Sequence, residues 1–233
     1  MHAAALRAQI ESRLPSAFVC YRRPEHETIP TGIPQIDQLT GGIPLRSLTE
    51  ICGSPFASSG KTSLLVSLLA KTSQENFCAL IDASDAFDPE TAESAGVNLS
   101  HLCWVRCGKS KTRLRPLDQA FKVADLLLHN GGFGLIAVDL SGIHPRVISR
   151  VQPSTWFRFS RVIERQSAAL VFLQREPQAT SCAGLVLRLK TSPSSFSNNL
   201  LSGFHVQAEL ARAQNKRPAR SEGMNFHLKT QWA

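Results

Sequence analysis

The sequence ICGSPFASSGKTSLLVSLLAK, residues 51–71, decides the fold of this chain. It begins with an apolar run, passes through a turn of small residues to Gly60, Lys61 and Thr62, and ends in leucines at helical spacing. This order of strand, glycine-containing loop and helix suits a triphosphate, because N–H groups of the loop and of the first helical turn converge on an anion. Lys61 would reach the outer phosphates, and the Thr62 hydroxyl would hold Mg²⁺.

The start of this loop departs from the usual phosphate-binding pattern, G-x-x-x-x-G-K-[ST]. Pro55 stands where the first glycine belongs, and the nearest earlier glycine is Gly53. The alternative interpretation is an ordinary strand–turn–helix connection. We favour phosphate binding because the strand before the loop and the helix after it are both indicated. The predicted phosphate contacts are Ser58, Ser59, Gly60, Lys61, Thr62 and Ser63.

The composition predicts a globular protein with one sizeable core. Hydrophobic residues make up 42% of the 233 residues, a share typical of folded domains. No apolar run is long enough to span a membrane, and the N-terminal sequence MHAAALRAQIESRL lacks the apolar centre of a signal peptide. We therefore expect a cytoplasmic protein without membrane contact. The formal net charge of +8 favours anionic partners such as nucleotides or nucleic acids.

The six cysteines are scattered along the chain, and we expect reduced thiols. Cys52, Cys78 and Cys103 fall in apolar, strand-like runs, where we expect their side chains to be buried. Cys103 and Cys107, with His101 nearby, have a spacing that fits no common zinc pattern.

Strand and helix patterns alternate through most of the region 29–233. Such alternation predicts βαβ units, and therefore an α/β fold with a mostly parallel, twisted sheet flanked by helices. The expected strands are 77–82, 101–106, 134–140 and 168–174, and the expected helices are 89–95, 117–129 and 155–165.

The pattern changes after Cys182. Strand-like segments at 184–190, 205–212 and 225–229 follow without a long helix between them, and a polar connection is expected at 192–202. This ending predicts an antiparallel C-terminal extension of the sheet.

Residues 1–28 are expected to form a separate N-terminal arm. The arm has an amphipathic helix pattern at 3–14 and a short apolar piece at 17–21. This is too little apolar surface for independent folding. We therefore expect the arm to contact the core, a partner or another copy of the chain.

Polar side chains end several of the predicted strands. Asp139 follows the apolar run GLIAV, and a carboxylate ending a buried strand beside the phosphate-binding strand is placed to orient Mg²⁺. Its alternative role is to cap the next turn. Asp82, Asp85 and Asp88 end and follow an earlier strand, and each fits either a general base or a cap for the following short helix. Gln174 fits an amide that senses the γ-phosphate or a solvated strand end.

Three basic stretches suit contacts to nucleic acid or form solvated faces. They are residues 106–115, 146–165 and 212–220. In the middle stretch the aromatic residues are expected in the core, and the arginines fit either role. These aromatic residues are Trp156, Phe157 and Phe159.

Four segments occur in the order found in bacterial RecA recombinases, and the chain resembles that family over nearly its whole length. They are IPTGIPQIDQLTGGIPLRSLTEI, ASSGKT, ALIDASDAFDPETAESAGVNLSHL and LIAVDLS. The phrase IDAxxAxDP followed by AxxxGV is specific to that family among P-loop proteins. The resemblance implies a RecA-like P-loop NTPase core, binding of ATP with Mg²⁺, and work in DNA repair.

The resemblance also implies roles for single residues. Gly60, Lys61 and Thr62 match the phosphate loop, and Asp139 matches the Walker B acid. Gln174 matches the glutamine that couples nucleotide to DNA.

Other positions match the family only in part. Asp88 matches an acid near the adenine, but Thr91 stands where an adenine-stacking tyrosine is expected. Lys216 resembles a lysine offered to ATP on the adjacent subunit, whereas Gln214 replaces its partner lysine.

The main departure from the family is Ser84, which occupies the position of the glutamate that activates the attacking water. Serine is a poor base at neutral pH, and loss of a general base typically costs ~10²–10⁴-fold in rate. In addition, the segment from Gln174 to Cys182 is too short for the family's second DNA-binding loop, and we expect no counterpart of the family's C-terminal domain.

These departures are similar to the ImuA group, RecA-related accessory proteins of the SOS mutasome. The runs STWFRFSRVIE and QREPQATSCAGLVLRL resemble that group. The resemblance implies an ImuB-like protein, an error-prone DnaE-type polymerase and RecA itself as partners in translesion synthesis.

Three interpretations follow. The first is an ATP-binding accessory protein of DNA damage tolerance with weak or absent ATP hydrolysis. The second is a DNA-dependent ATPase or recombinase that forms filaments on single-stranded DNA, which the N-terminal arm and Lys216 favour. The third is a P-loop fold kept only as an interaction scaffold, which Pro55 favours.

Overall fold

The structure is a computed structural model that describes residues 27–53, 59–108, 115–197, 200–213 and 223–229. The expected helix at 3–14 and apolar piece at 17–21 lie outside these ranges, so the N-terminal arm at 1–28 stays a prediction.

Strands and helices alternate along the described residues. The strands are β1 Thr28–Ile29, β2 Ile43–Pro44, β3 Ser47–Gly53, β4 Cys78–Asp82, β5 Leu102–Arg106, β6 Leu135–Asp139, β7 Ala169–Gln174, β8 Ala183–Ser197, β9 Leu200–Ala213 and β10 Gly223–Lys229. The helices are α1 Pro34–Thr40, α2 Lys61–Thr72, α3 Pro89–Ser94, α4 Pro116–Asn130, α5 Pro145–Ile148 and α6 Pro153–Ile163, with 3₁₀ turns at Leu99–His101 and Thr180–Cys182. Within the described part of the chain, no helix is long and apolar enough to cross a membrane.

A single eight-stranded sheet, in the order β10-β9-β8-β3-β7-β6-β4-β5, forms the centre of the molecule. All neighbours from β8 to β5 are parallel, whereas β9 and β10 add to β8 as antiparallel strands. The predicted fold class is therefore confirmed, including its antiparallel C-terminal extension. The short strands β1 and β2 form a separate antiparallel pair.

The inner parallel strands are buried on both faces, which explains their nearly continuous apolar sequences. One face of the sheet packs against α1, α2 and α3, and the other packs against α4 and α6. Helix α2 presents a stripe of leucines to the first face because residues three and four apart share one side of a helix. The stripe consists of Leu64, Leu65, Leu68 and Leu69.

An aromatic cluster fills the core on the second face. Phe121, Trp156, Phe159 and Phe172 contact one another with ring centroids 5.1 to 6.2 Å apart. The expectation that Phe157 joins this core is wrong, because its side chain is 50% exposed. Helical periodicity is the reason. Trp156 and Phe159 are three residues apart and share the helix face that packs on the sheet, whereas Phe157 lies on another face and points away from the sheet.

The edge strand β5 corrects another expectation. Cys103 is exposed rather than buried, because β5 has a neighbour on one side only and its residues are only partly covered. Cys52 and Cys78 lie in the inner strands and are buried as predicted.

The hairpin of β8 and β9 is longer than its sequence indicated. Residues 192–202 were expected to be a polar connection, but β8 continues to Ser197 and β9 begins at Leu200. Backbone hydrogen bonds hold an antiparallel pair together whatever its side chains, so a serine-rich sequence is compatible with it. Register shifts between Thr191 and Ser194 accommodate Pro193, which has no N–H to donate.

Candidate functional site

The carboxyl ends of four neighbouring parallel strands meet at one edge of the sheet. Gly53 ends β3, Gln174 ends β7, Asp139 ends β6 and Asp82 ends β4. Binding sites of open α/β sheets lie outside this edge. The sequence therefore places four of its polar or loop-forming residues in one region. Asp139 pairs with Asp82 in register, and Gln174 pairs with Cys52, the residue before Gly53.

Lys61 is at the centre of the side of this edge that is predicted to bind phosphate, the predicted phosphate-binding side. Gly60 takes the left-handed backbone conformation, with φ of 77°, that glycine adopts without strain, and α2 begins directly after it. The Lys61 side chain is buried, 8% exposed, and its Nζ donates to the carbonyl oxygens of Gly53 at 3.3 Å and Gln174 at 3.1 Å. Burial lowers the pKa of the Lys61 ammonium, and the nearby Asp139 carboxylate acts in the opposite direction.

The first turn of α2 is open to a ligand. Thr62 and Ser63 are exposed there, beside the buried Ser59 and Lys61. A helix N-terminus, a converging ammonium and a hydroxyl side chain fit the phosphates of a nucleotide and a Mg²⁺ ion. Ser58, a further predicted contact, and Pro55 lie outside the described residues, so their parts in the loop stay predictions.

Asp139 lies at the edge as expected, but its strand is not the neighbour of the phosphate-binding strand. Strand β7 lies between β6 and β3, so the expectation of a carboxylate directly beside β3 is wrong. One Asp139 carboxylate oxygen accepts a hydrogen bond from the backbone N–H of Ser141 at 2.8 Å. Burial raises the pKa of Asp139, and the neighbouring Asp82 carboxylate raises it further. A bound Mg²⁺ would offset this loss of hydration, which is consistent with the predicted role of Asp139 toward the ion.

Ser84 has a structural partner. Its Oγ accepts the backbone N–H of Gly142 at 2.9 Å, across 58 residues of sequence. A Cβ on Gly142 would lie 2.9 Å from Ser84 Cβ and closer still to Oγ, which is shorter than ordinary side-chain contacts. The turn after β6 is thus packed directly onto the position where the family's glutamate is expected.

The nearby acids Asp82 and Asp85 also contact other groups of the protein, one through backbone and one through a side chain. The Asp82 carboxylate accepts the N–H groups of Ser84 at 3.1 Å and Phe87 at 2.9 Å, and it is fully buried. Asp85 accepts Nε of Arg106 at 2.6 Å in an ion pair. These contacts do not cap the helix that begins at Pro89, whose N-cap is Asp88, and a role of Asp82 or Asp85 as a general base stays a prediction.

Asp88 is the N-cap of α3. Its carboxylate accepts the N–H groups of Glu90 and Thr91, each at 3.3 Å, and the Thr91 hydroxyl. The hydrogen bond from the Thr91 side chain is the main cause of a lowered pKa of Asp88. The role of Asp88 toward adenine stays a prediction.

A cleft of about 680 Å³ runs along α2 toward α3. Its walls include Thr62, Ser63 and Val66 on α2, and Thr91 and Ala95 beside them. The cleft begins at the first turn of α2, so it continues from the phosphate-binding side into a space of the size that small-molecule sites have.

Gln174 lies inside the protein rather than at a solvated strand end, because it is 0% exposed. Its Nε2 donates to Oε1 of Glu50, a fully buried carboxylate in the middle of β3. The same Glu50 oxygen accepts the backbone N–H groups of Gln178 at 2.6 Å and Ala179 at 2.8 Å. Glu50 was not among the residues predicted from the sequence, although a lone carboxylate within the apolar run SLTEIC was the available signal.

The basic stretches are only partly described. Arg175, which lies outside these stretches, donates to the carbonyl oxygen of Ser141 at 2.9 Å. In the middle stretch, Arg158 pairs with Asp125 of α4 at 3.1 Å. The other arginines of the middle stretch are exposed. They are Arg146, Arg150, Arg161 and Arg165. Residues 109–114 and 214–222, and with them Gln214 and Lys216, lie outside the described residues.

Comparison with known protein families gives an independent identification. The family described as the RecA N-terminal domain matches residues 19–147, just over half of the 233-residue chain. The matched region contains the loop with Lys61, the acids that follow β4, and Asp139. The chain therefore belongs to the RecA family.

Proposed function

We propose that this chain is an ATP-binding accessory protein of SOS-induced translesion mutagenesis, of the ImuA group, with weak or absent ATP hydrolysis. It acts through contacts with an ImuB-type protein, an error-prone DnaE-type polymerase or RecA. Membership of the RecA family supports nucleotide binding and a DNA-related function, since proteins of this family typically bind ATP with Mg²⁺.

One observation carries the proposal: the residues around Lys61 suit phosphate, whereas the side chain at the position expected to activate water is hydrogen-bonded to backbone. Lys61 and the open first turn of α2 suit the phosphates and Mg²⁺. Ser84 instead accepts the N–H of Gly142. Binding without efficient turnover suits a protein whose nucleotide controls contacts with other proteins.

The nucleotide site of the proposal comprises nine residues. They are Ser58, Ser59, Gly60, Lys61, Thr62, Ser63, Asp88, Asp139 and Gln174. Thr62 and Asp139 hold the Mg²⁺ ion that accompanies ATP. The arm at residues 1–28 provides contacts to a partner or to another copy, and single-stranded DNA is a further ligand that the positive net charge favours.

A titration with a fluorescent ATP analogue tests the nucleotide half of the proposal. We expect saturable binding that requires Mg²⁺, and phosphate release close to the rate without protein. Absence of binding with Mg²⁺ present would exclude the proposal in favour of an interaction scaffold. Phosphate release that single-stranded DNA stimulates, and that Lys61→Ala abolishes, would establish a DNA-dependent ATPase instead.

The partner half is tested with purified proteins. We expect the chain to bind an ImuB-type protein in analytical gel filtration, and its gene deletion to lower damage-induced mutation without lowering homologous recombination. Loss of recombination on deletion would contradict an accessory role and support the filament-forming alternative.

A further inference from the structure

Helix α6 carries an exposed phenylalanine on its outer side. Its inner side packs into the core through Trp156, Phe159 and Ile163, which are buried. Phe157 is instead 50% exposed, so half of its apolar area stays in contact with water, which is unfavourable. A single exposed apolar side chain is ordinary by itself. The charges around Phe157 therefore decide whether it marks a binding surface.

Exposed arginines follow Phe157 along the chain. Arg161 lies one turn further along α6 and on the same side, because residues four apart share a helix face. Arg165 follows in the turn after the helix. Both arginines are exposed, and neither has an ion-pair partner among the described residues. We call Phe157, Arg161 and Arg165 together the basic α6 surface.

A neighbouring arginine of the same helix already binds a carboxylate. Nε of Arg158 lies 3.1 Å from Oδ1 of Asp125 on α4, and both side chains are partly exposed. The planar guanidinium group matches the geometry of a carboxylate, and such charge-assisted hydrogen bonds are the strong ones. Arg161 and Arg165 offer the same group outward, where a second molecule can supply the carboxylates.

The surroundings favour a protein over a nucleic acid as the second molecule. Asp125 is 36% exposed and Glu164 is exposed next to Arg165, so two carboxylates interrupt the positive charge that a phosphate backbone needs in a continuous track. A peptide places its carboxylates singly and can avoid both. Phenylalanine and arginine are also residue types that are enriched at the centres of protein interfaces.

This surface lies away from the proposed nucleotide site. Helix α6 packs on the face of the sheet opposite to α2, since their buried residues belong to two different apolar clusters. The cleft along α2 opens on the other face. A partner on α6 therefore leaves the first turn of α2 accessible.

We propose that the basic α6 surface binds an acidic segment of a partner protein. An apolar side chain of that segment packs on Phe157, and two of its carboxylates pair with Arg161 and Arg165. The proposal rests on the proposed function only in so far as the chain acts through other proteins, and it does not require nucleotide binding.

Selection from a library of random linear peptides displayed on phage, with the full chain as bait, tests the proposal. We expect enriched sequences to combine at least two acidic residues with an aromatic or large aliphatic residue. The most enriched peptide, made synthetically, should bind Phe157→Ser and Arg161→Glu at least tenfold more weakly than the wild type in fluorescence anisotropy. The matched controls Leu126→Ser and Lys122→Glu change exposed residues of α4 and should bind within twofold. Thermal melts check that all four variants fold.

A charge exchange distinguishes direct contact from a structural effect. Each acidic residue of the peptide is replaced by lysine in turn. One of these peptides should bind Arg161→Glu at least tenfold more tightly than it binds the wild type. A substitution that only disturbs the helix would not produce this reversal, so its absence at every position would contradict pairing with Arg161.

The remaining outcomes assign the surface elsewhere or separate the two proposals. Selection without acidic sequences, or equal peptide binding by the wild type and Phe157→Ser, would overturn the proposal. Binding of a single-stranded oligonucleotide, lost in Phe157→Ser and Arg161→Glu without any peptide binding, would make this a nucleic-acid surface. Self-association that Phe157→Ser abolishes would assign it to a second copy. Failure of nucleotide binding would leave the surface standing, and failure of the surface would leave nucleotide binding standing.

Discussion

The carboxyl edge of the sheet has two sides that differ in what their polar groups contact. On the side with Lys61, which we call the phosphate side, Lys61 Nζ donates to two carbonyl oxygens and the exposed Thr62 lies in the first turn of α2. On the side with Ser84, which we call the water side because the attacking water is expected there, Asp82 and Ser84 accept hydrogen bonds from backbone N–H groups, including that of Gly142. The Lys61 ammonium can exchange its two carbonyl oxygens for oxygens of a ligand. Asp82 and Ser84 accept N–H groups of the protein's own turns, so they cannot act on a ligand unless those turns move.

If Ser84 replaces the family's glutamate, as its position predicts, the replacement is not an isolated change. The turn after β6 packs so closely on Ser84 that Gly142 has no space for a Cβ. We infer that the predicted loss of the base and the close packing of Gly142 on Ser84 belong together. The predictions at Lys61, Gly142 and Ser84 test whether the two sides differ in this way, and a prediction at Glu50 tests the buried carboxylate between β7 and β8; the largest effect comes first.

Lys61→Met is expected to weaken binding of the ATP analogue about 100-fold, or ~3 kcal/mol at 1.4 kcal/mol for each factor of ten. Hydrogen bonds to charged groups contribute about 1.5–3 kcal/mol, and methionine keeps the buried stem filled. Fluorescence titration measures the change. Lys122→Met, on the exposed face of α4, removes the same charge away from the edge and should bind within about twofold of the wild type. Equal losses in both variants would mean that net charge, not the phosphate side, holds the nucleotide.

Gly142→Ala is expected to destabilise the chain by about 1–3 kcal/mol, the range for overpacking, because the new Cβ meets Ser84. The same substitution in a Ser84→Gly background should lose most of this penalty, since the opposing side chain is gone. Urea unfolding of the four proteins gives the coupling free energy directly. Additive effects would show that the turn is not packed on Ser84.

Glu50→Gln is expected to change how stability depends on pH. Burial raises the pKa of Glu50 above its ordinary value of 4.5. Its contribution to stability is therefore present below that ordinary value and is lost as pH rises through the higher pKa of the folded chain. The glutamine does not titrate, so the variant lacks this loss. The melting temperature of the variant minus that of the wild type should therefore increase from about pH 5 to about pH 8. Thermal melts at both pH values measure this, and parallel curves would contradict it.

Local sequence patterns were enough for the fold and for the residues that end the strands. The spacing of the leucines in α2 and the apolar runs of the strands can be recognised within a few residues of sequence. Because Asp139 and Gln174 each end such a strand, they were expected at the same edge of the sheet. The partners of these residues were not predictable in this way. Glu50 meets Gln174 across 124 residues, and Ser84 meets Gly142 across 58. Such contacts depend on which strand lies next to which, as the insertion of β7 between β3 and β6 shows.

Ser84→Glu is the smallest expected effect on activity and the sharpest test of the comparison. A correctly placed general base is worth ~10²–10⁴-fold, so a site that lacked only its glutamate would regain much of this factor. We expect less than a tenfold rise in phosphate release. The glutamate Cγ would take the place of the Ser84 Oγ that now accepts the N–H of Gly142 at 2.9 Å, and this N–H would lose its acceptor.

The added side chain must also displace the turn that carries Ser141, whose N–H is bonded to Asp139. A glutamate at position 84 would therefore disturb Asp139, the group expected to orient Mg²⁺. Phosphate release by Ser84→Glu, with and without single-stranded DNA, is compared with Ser84→Gln, which has nearly the same shape and no basic group. A rise of 10²-fold in the glutamate variant alone would mean that the water side had kept its space, and that one substitution separates this chain from an active ATPase.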